Sequence, residues 1–379
     1  MFESLTREQD LENIYLAGGS MNWWKRRSLR RKKEDKRQKP WFLETGSAFL
    51  EELIADCNGK SNPIRMFSSN QILGATDNFD SSCYVSDEWN FTWFRGVIDD
   101  RVYAIKVYHQ STPNESYKKK VYNDIVISIR VSNHGNFLKV LGCCLEFPLP
   151  VLLHEYPDNG ALHNTTRGSC SGDAGPLLPW NLRVKIAKEI AYAAAYLHKA
   201  FPRIIIHRDI KPSKIFLDKN WTAKLTDFSV SISLPEGKSR AEDVIVGTYG
   251  YIDSRYMETG VVAKSSDVFG FGTFLTVLLT GRPDLSIDEH SVWVRDYLKS
   301  IPENGAYTAE TMDRVMTEEM TDHQRPQVEE FRKLALRCCE DAEDDRPTMI
   351  QVAKELKQIE TSLYAATRAL VLLNRDDSI

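Results

Sequence analysis

Long apolar segments are missing from this chain of 379 residues. No run approaches the ~18 consecutive apolar residues that a membrane-spanning helix needs. The first residues contain no apolar core of the kind found in secretory signal peptides. Position 2 is Phe2, where a myristoylated protein has glycine. We therefore expect a cytoplasmic protein whose contact with membrane, if any, is peripheral.

Cysteine is scarce and poorly placed for cross-links. The seven cysteines are an odd number and include two adjacent pairs, Cys143-Cys144 and Cys338-Cys339. Adjacent cysteines rarely bridge each other, and no Cys-x-x-Cys or Cys/His spacing indicates zinc. This pattern predicts reduced thiols and no metal site.

The basic residues are concentrated near the N-terminus. The stretch Lys25–Lys39 holds ten Lys or Arg and two acidic residues, so it carries +8 and leaves −12 to the rest of a chain with net charge −4. An acidic body disfavours nucleic acid as a partner. Residues 1–40 are predicted to be a disordered basic arm. With Trp23-Trp24 beside it, this arm suits an anionic plasma-membrane surface; the alternatives are a solvated tail or a nuclear address.

Two helices are predicted ahead of the folded body. Apolar residues recur at close to helical spacing in Trp41–Cys57 and again in Phe67–Phe79. Ser68 or Ser69 can cap the second helix. Residues 41–79 are therefore predicted to form a helical N-terminal extension.

The next segment has the character of a β-sheet. Strand patterns run through Tyr84–Tyr108 and return in Phe137–Leu145 and Val151–Tyr156, with a helix predicted over Tyr117–Val131. These five strands and one helix predict a small β-rich lobe over residues 80–156.

The remainder of the chain is predicted to be mostly helical. Trp180–Ala200 has a strong helical period, and helices continue to about residue 364. This predicts a larger helical lobe over residues 157–364 and a tail, residues 365–379, whose short apolar helix docks on the body. The expected fold class is therefore α+β.

One stretch carries a clear chemical motif. Within Ile206–Lys214, Asp209 follows His-Arg and precedes Lys211 by two positions, and Asp227-Phe228-Ser229 comes shortly after. This order resembles the catalytic loop and metal-binding motif of protein kinases, in which one Asp accepts the substrate hydroxyl proton and a second binds Mg²⁺. The resemblance implies that Asp209 and Lys211 are catalytic and that Asp227 belongs to the nucleotide site.

Seven motifs in kinase order extend this resemblance to residues 67–360. They are similar to those of plant receptor-like kinases of the wall-associated type, and they imply a bilobal protein kinase-like fold. Asp209 with Lys211 resembles the Ser/Thr class. The motifs are Ala104–Lys106, Leu141–Glu146, His207–Lys211, Gly247–Asp253, Ser266–Gly272, Leu279–Arg282 and Asp345–Met349.

A narrower resemblance is to cytoplasmic plant pseudokinases that serve as adaptors for a coiled-coil NLR immune receptor. It implies that the chain binds an NLR receptor and senses a bacterial effector or an effector-modified receptor-like cytoplasmic kinase. The activation segment, Asp227–Arg255, would be the sensing surface. The stretches that carry the resemblance are Trp41–Ser47, Ala55–Lys60, Leu141–Glu146 and Ser231–Ser239.

The nucleotide-binding motifs depart from the kinase pattern. Three glycines let an active kinase's hairpin approach the ATP phosphates; here those positions fall on Ser86, Glu88 and Phe91. Glu88 also brings negative charge toward the phosphates. Lys106 stands where the phosphate-binding lysine belongs, and Asp124 is the best-placed acidic partner for it, with the register uncertain by one residue.

The metal-binding motifs depart as well. Lys214 stands where an Asn binds Mg²⁺, and Ser229 replaces a glycine. The Lys214 ammonium can pair with Asp227 or Asp209, or it can point to solvent; in either case an oxygen ligand is lost.

The end of the activation segment lacks its expected ion pair. Arg255 stands at the position of a Glu whose partner should be Arg346. We expect the two cations to repel or to take other partners, such as Glu340, Asp344 or Asp345, while Asp267 braces the catalytic loop.

These departures predict an inactive kinase-like adaptor. Phosphoryl transfer depends on positioning and charge stabilisation, so losing the phosphate clamp and a metal ligand together costs several orders of magnitude in rate. No cofactor is required, and ATP binding, if present, is weak. The alternatives are a weakly active ATP-dependent Ser/Thr kinase that uses one metal, and an ATP-binding scaffold without turnover.

Overall fold

The structure is a computed structural model that describes most of the chain beyond residue 63. The described ranges are 64–109, 115–163, 178–281, 294–300, 314–318 and 320–376, with Gly46 and Met312 as single positions. The basic arm, residues 1–40, lies outside them, and so does the helix predicted over residues 41–57, apart from Gly46.

The described residues form two compact units. The first contains those up to Val121 together with Val140–Tyr156, and the second contains Tyr122–Lys139 and those from Pro157 onward.

The first unit is built on a six-stranded sheet with the order β1-β5-β6-β4-β3-β2. All neighbouring strands are antiparallel except β1 and β5, which are parallel. Five of these strands lie where the sequence predicts strands, and β1 is an additional one. The strands are β1 Arg65–Met66, β2 Tyr84–Glu88, β3 Phe91–Ile98, β4 Arg101–Tyr108, β5 Val140–Cys144 and β6 Val151–Glu155.

Two helices accompany this sheet in the chain. Helix α1, Ser69–Ala75, begins after Ser68, whose hydroxyl accepts from the Gln71 N–H in a capping box. Ile72 and Phe79 are buried in a hydrophobic cluster together with Phe94 and Ile105 of the sheet. Helix α2 runs over Glu115–Val131, two residues longer at its start than predicted.

The second unit is mostly helical, as the sequence predicts, with three short strand pairs. The helices are α3 Trp180–Lys199, α4 Ser254–Thr259, α5 Lys264–Thr280, α6 Val294–Ser300, α7 Arg314–Thr317, α8 Arg325–Cys338 and α9 Met349–Asp376. The strands are β7 Ile205–Ile206, β8 Ile215–Leu217, β9 Ala223–Leu225, β10 Ile232–Ser233, β11 Arg240–Glu242 and β12 Val261–Ala263. They pair as β7 with β10, β8 with β9, and β11 with β12.

Helix α5 is the centre of this unit. Every residue from Ser266 to Thr280 is buried, so the helix is covered on all sides. Its Gly272 lies where an added Cβ would come within 2.5 Å of the Cys339 sulfur. A buried helix of this kind can hold polar residues rigidly, and its first turn carries Asp267.

The helical state predicted for residues 365–373 is confirmed, but these residues belong to a longer helix and do not form a separate one. The structure has one continuous helix, α9, from Met349 to Asp376. No Gly or Pro interrupts the sequence between them, so nothing ends the helix near residue 364. Docking of residues 365–373 on the body stays a prediction.

The described cysteines are free thiols, as predicted from their spacing. They are Cys83, Cys143, Cys144, Cys338 and Cys339. Burial raises the pKa of Cys143 and Cys144 to about 12, so both remain protonated and unreactive. Among the described residues, no helix combines the length and apolar character needed to cross a bilayer.

Candidate functional site

The backbone of the catalytic-loop motif is held by hydrogen bonds to Asp267. This carboxylate accepts the backbone N–H of His207 at 2.9 Å and of Arg208 at 2.8 Å, and it contacts His198 Nε2 at 2.8 Å. Burial alone would raise the pKa of Asp267, but the hydrogen bond and charge of His198, with His207, hold it below its usual value. The predicted bracing role of Asp267 is therefore confirmed.

Lys214 lies among the acidic groups of the motif. Its Nζ is 2.7 Å from Asp227 Oδ2 and 3.8 Å from Asp209 Oδ2, and its side chain is only 2% exposed. Lys211 Nζ also lies 3.8 Å from Asp209. The alternative in which Lys214 points to solvent is therefore wrong, and the structure brings all four predicted residues of this unit together.

This arrangement does not suit a divalent cation. Mg²⁺ requires oxygen donors in near-octahedral geometry, whereas position 214 supplies an ammonium, which has no lone pair to donate. The same ammonium neutralises Asp227, the remaining carboxylate of the metal-binding motif. Without a metal ion, the chemistry of these four residues is limited to proton transfer by Asp209 and to the positive charge of Lys211.

Asp209 keeps one feature of a general base. Its side chain is 8% exposed, and Oδ1 has no hydrogen-bond partner among the described residues. Oδ1 is buried, so it can accept a proton only from a hydroxyl group that comes within hydrogen-bond distance of it.

The Asp227-Phe228-Ser229 loop is held by two neighbouring residues of helix α2. Asp124 Oδ1 accepts the Phe228 N–H at 2.8 Å, and the Asn123 amide donates to the carbonyls of Phe228 and Ser231 at 2.8 and 2.9 Å. Sequence reasoning missed Asn123, because an amide beside an acid carries no motif. The predicted pairing of Asp124 with Lys106 would join the two units and stays a prediction.

Lys106 is enclosed by aromatic rings within the first unit. Its Nζ lies 3.8 Å from the centroid of the Phe91 ring, 5.2 Å from Tyr108 and 5.6 Å from Trp93. The residue is 0% exposed, so the alternative of an exposed strand lysine is wrong. A desolvated contact of this kind contributes about 2 kcal/mol. Phe91 stands at the third glycine position, so the substitution that removes the glycine also supplies a ring for the lysine.

The hairpin between β2 and β3 is tied down at its tip. The Asn90 carbonyl accepts from the Tyr117 hydroxyl at 2.7 Å and from the His109 N–H at 2.9 Å. Ser86 and Glu88, at the other two glycine positions, lie opposite Trp93 and Phe91 in the antiparallel pair, and the register shifts by one residue between Tyr84 and Ser86. Side chains therefore fix a hairpin that glycines would leave free to close over phosphates.

His154 lies beside the enclosed lysine. Its ring is 5.0 Å from that of Trp93, and Nδ1 has no hydrogen-bond partner among the described residues. Burial, and then the charge of Lys106, lower the pKa of His154 to about 3. It is therefore neutral at cellular pH and adds no charge to this region.

Of the two alternatives for Arg255 and Arg346, the structure shows the second: Arg346 takes another partner, although this is Asp253 and not a carboxylate of Glu340, Asp344 or Asp345. Arg346 forms a two-pronged ion pair with Asp253, at 2.6 and 2.9 Å, in which the side chains are 1% and 0% exposed. Its Nε also donates to the Glu340 carbonyl at 2.6 Å. Arg255, in contrast, is exposed. An acid two positions earlier has taken over the pairing.

The motifs and the fold agree with a comparison to known families. Residues 94–357 match the model of the protein kinase domain. The chain therefore belongs to the protein kinase family, with its α+β architecture of a β-sheet part followed by a helical part.

Within this family the chain is similar to a group of proteins from Arabidopsis thaliana. It is 53% identical to the serine/threonine-protein kinase ZRK1, over 88% of this chain and 95% of that protein. It is 52% identical to the non-functional pseudokinase ZRK2, over 88% and 94%. It is 43% identical to the non-functional pseudokinase ZED1, over 86% and 98%. The group thus contains proteins named as kinases and proteins named as pseudokinases.

Proposed function

We propose that this chain is a catalytically impaired, kinase-like adaptor in plant immune signalling. It binds an NLR receptor and senses a bacterial effector or an effector-modified receptor-like cytoplasmic kinase. The observation that carries the proposal is the Lys214 ammonium 2.7 Å from Asp227, where a kinase holds Mg²⁺.

A second observation, in the other unit, supports the loss of nucleotide chemistry. Lys106, which should hold phosphates, is enclosed by Phe91, Tyr108 and Trp93. The phosphate-binding lysine and the metal-binding carboxylate therefore each have a partner within their own unit. Each of these partners would have to be displaced before Lys106 could bind a phosphate or Asp227 a metal ion.

A weakly active Ser/Thr kinase is the second candidate. Asp209 Oδ1, which has no hydrogen-bond partner within the described part of the chain, favours it, because a general base needs a free acceptor. One relative, ZRK1, is named as a serine/threonine-protein kinase. Under this candidate ATP and one metal ion would be required.

A thermal-shift titration with ATP separates these candidates. We expect no change in Tm for the full chain with ATP, with or without Mg²⁺. The reason is that Lys214 already pairs with Asp227 and Phe91 already covers Lys106. Lys214→Asn should make the Tm respond to Mg²⁺ and ATP together, without measurable phosphoryl transfer, since Phe91 still covers Lys106. The exposed Lys199→Asn is the matched control. A Mg²⁺-dependent shift in the unmodified protein, with autophosphorylation, would establish the kinase instead.

The proposed sensing surface is the activation segment. It carries three exposed apolar side chains: Val244 at 69%, Ile245 at 49% and Tyr249 at 52% exposure. These residues lie within six positions of one another, and exposed apolar side chains that form a contiguous patch are typical of interaction sites. The receptor would then be held by residues 41–79, which the sequence predicts to be a helical extension, and by the first unit.

The triple variant Val244→Ser, Ile245→Ser and Tyr249→Ser should no longer bind the effector or the effector-modified kinase. It should still bind the receptor. Co-precipitation from plant cells measures both. Val97→Ser, at an exposed apolar position in the first unit, is the control for the loss of a surface contact. If the triple variant no longer binds the receptor but still binds the effector or modified kinase, the two binding surfaces have been exchanged in our assignment.

The contact of residues 1–40 with membrane is tested separately. We expect the full chain to be retained on anionic vesicles in a salt-sensitive way, and we expect this retention to be lost when residues 1–40 are removed.

A further inference from the structure

Arg208 is a buried cation of the catalytic-loop motif with several hydrogen-bond partners. Its backbone has a φ of 69° and its N–H is held by Asp267. Its side chain is only 7% exposed. The guanidinium donates to the Val230 carbonyl, to the Tyr256 hydroxyl at 3.2 Å and to Asp243 Oδ2 at 2.6 Å. A buried guanidinium needs an anion nearby, and Asp243 supplies it.

Asp243 lies at a fixed point of the activation segment. It directly follows β11, whose three residues pair with β12, and its N–H donates to the Gly260 carbonyl at 2.9 Å. The Val244 N–H donates to Asp243 Oδ1 at 2.9 Å. The Tyr256 hydroxyl donates to the Val244 carbonyl. The same tyrosine thus contacts both the arginine and the segment that the arginine holds.

The chemistry of this contact is that of an anion site. Phosphoryl groups added to an activation segment order it by pairing with arginine, through charge-assisted hydrogen bonds. Here a carboxylate of the chain itself makes that contact, with no modified residue. We propose that Asp243 permanently takes the place of a phosphoryl group on Arg208, so that the activation segment is ordered without phosphorylation.

The consequence is a segment with one resting arrangement. A phosphorylation-dependent segment has an ordered and a mobile state, and a second enzyme chooses between them. In this chain the anion is always present, so the contact of Arg208 with the segment over residues 240–263 needs no added phosphoryl group. This inference concerns order within the second unit, and it holds whether the chain acts as an adaptor or as a weak kinase.

Hydrogen exchange of the full chain, produced in bacteria without kinases and checked by mass spectrometry to carry no phosphate, tests the proposal. Asp243→Asn keeps the shape of the side chain and removes its charge. We expect the amides of Arg240–Glu242 and Val261–Ala263 to exchange about tenfold faster or more, because a hydrogen bond between two charged groups is weakened. Asp243→Glu should stay close to the unmodified protein. Glu242→Gln, at the exposed neighbouring acid, is the matched control and should change nothing.

A direct exchange of the two anions sharpens the test. Asp243→Ser should behave like Asp243→Asn, and phosphoserine incorporated at position 243 by suppression should restore slow exchange. The proposal is overturned if Asp243→Asn exchanges like the unmodified protein, or if phosphoserine protects no better than serine. It is also overturned if phosphorylation elsewhere in the unmodified segment slows exchange tenfold.

Discussion

Asp253→Asn should lower the free energy of unfolding by about 3–5 kcal/mol, the usual cost of removing one partner of a buried ion pair. The carboxylate and the Arg346 guanidinium are 0% and 1% exposed and share two hydrogen bonds. Asparagine keeps the shape of the side chain and an oxygen for the Arg255 N–H, which Asp253 accepts at the start of helix α4. The lost free energy therefore reports the buried charge and not the helix cap. Denaturant unfolding at neutral pH measures it.

Two further variants separate the ion pair from general loss of packing. Asp253→Asn combined with Arg346→Met removes both charges, and we expect it to recover much of the stability. Arg255→Ala, at the exposed position where the kinase pattern has its glutamate, should change the free energy of unfolding by less than about 0.5 kcal/mol. If Arg255→Ala costs more than Asp253→Asn, the assignment of Asp253 as the partner is wrong.

The fold could be predicted where apolar patterns are long. Strands such as Phe91–Ile98 and helices such as Trp180–Lys199 show their period over eight residues or more, so type and position followed. Strand β1, Arg65–Met66, has two residues and therefore no period; only its pairing with β5 makes it a strand. The expected boundary near residue 364 has no Gly or Pro to cause it, and α9 continues through it to Asp376.

The candidate site was predictable where a motif fixes a position, and not where a side chain chooses its partner. Asp209, Lys211, Asp227 and Lys106 lie where the motif order places them. The pairing of Asp253 with Arg346 spans 93 residues of sequence, and only folding brings the two together. The aromatic enclosure of Lys106 likewise needs the register of β3 against β4, which sets Trp93 opposite Lys106 and Phe91 opposite Tyr108.

Lys214→Met is the second change with a large expected effect. Methionine keeps much of the volume of the lysine stem and removes the ammonium. Asp227, whose side chain is 2% exposed, then loses its partner at 2.7 Å. We expect the free energy of unfolding to fall by about 3–5 kcal/mol, as for other broken buried pairs. Lys224→Met is the matched control. Lys224 Nζ lies 3.8 Å from Asp218 Oδ2, and both of these side chains are more exposed than those of Lys214 and Asp227.

Adding Asp227→Asn to Lys214→Met should restore much of that stability, because each charged side chain is then replaced by a neutral one of similar size. Mg²⁺ should then act selectively. It should stabilise Lys214→Met, in which the carboxylate of Asp227 is available, through ligand binding to the folded state. It should stabilise neither the double variant nor the unmodified protein. If Mg²⁺ stabilises the unmodified protein as much as Lys214→Met, the ammonium does not exclude the metal. Asp227 would then keep its catalytic use, and the weak kinase would become the better account of this chain.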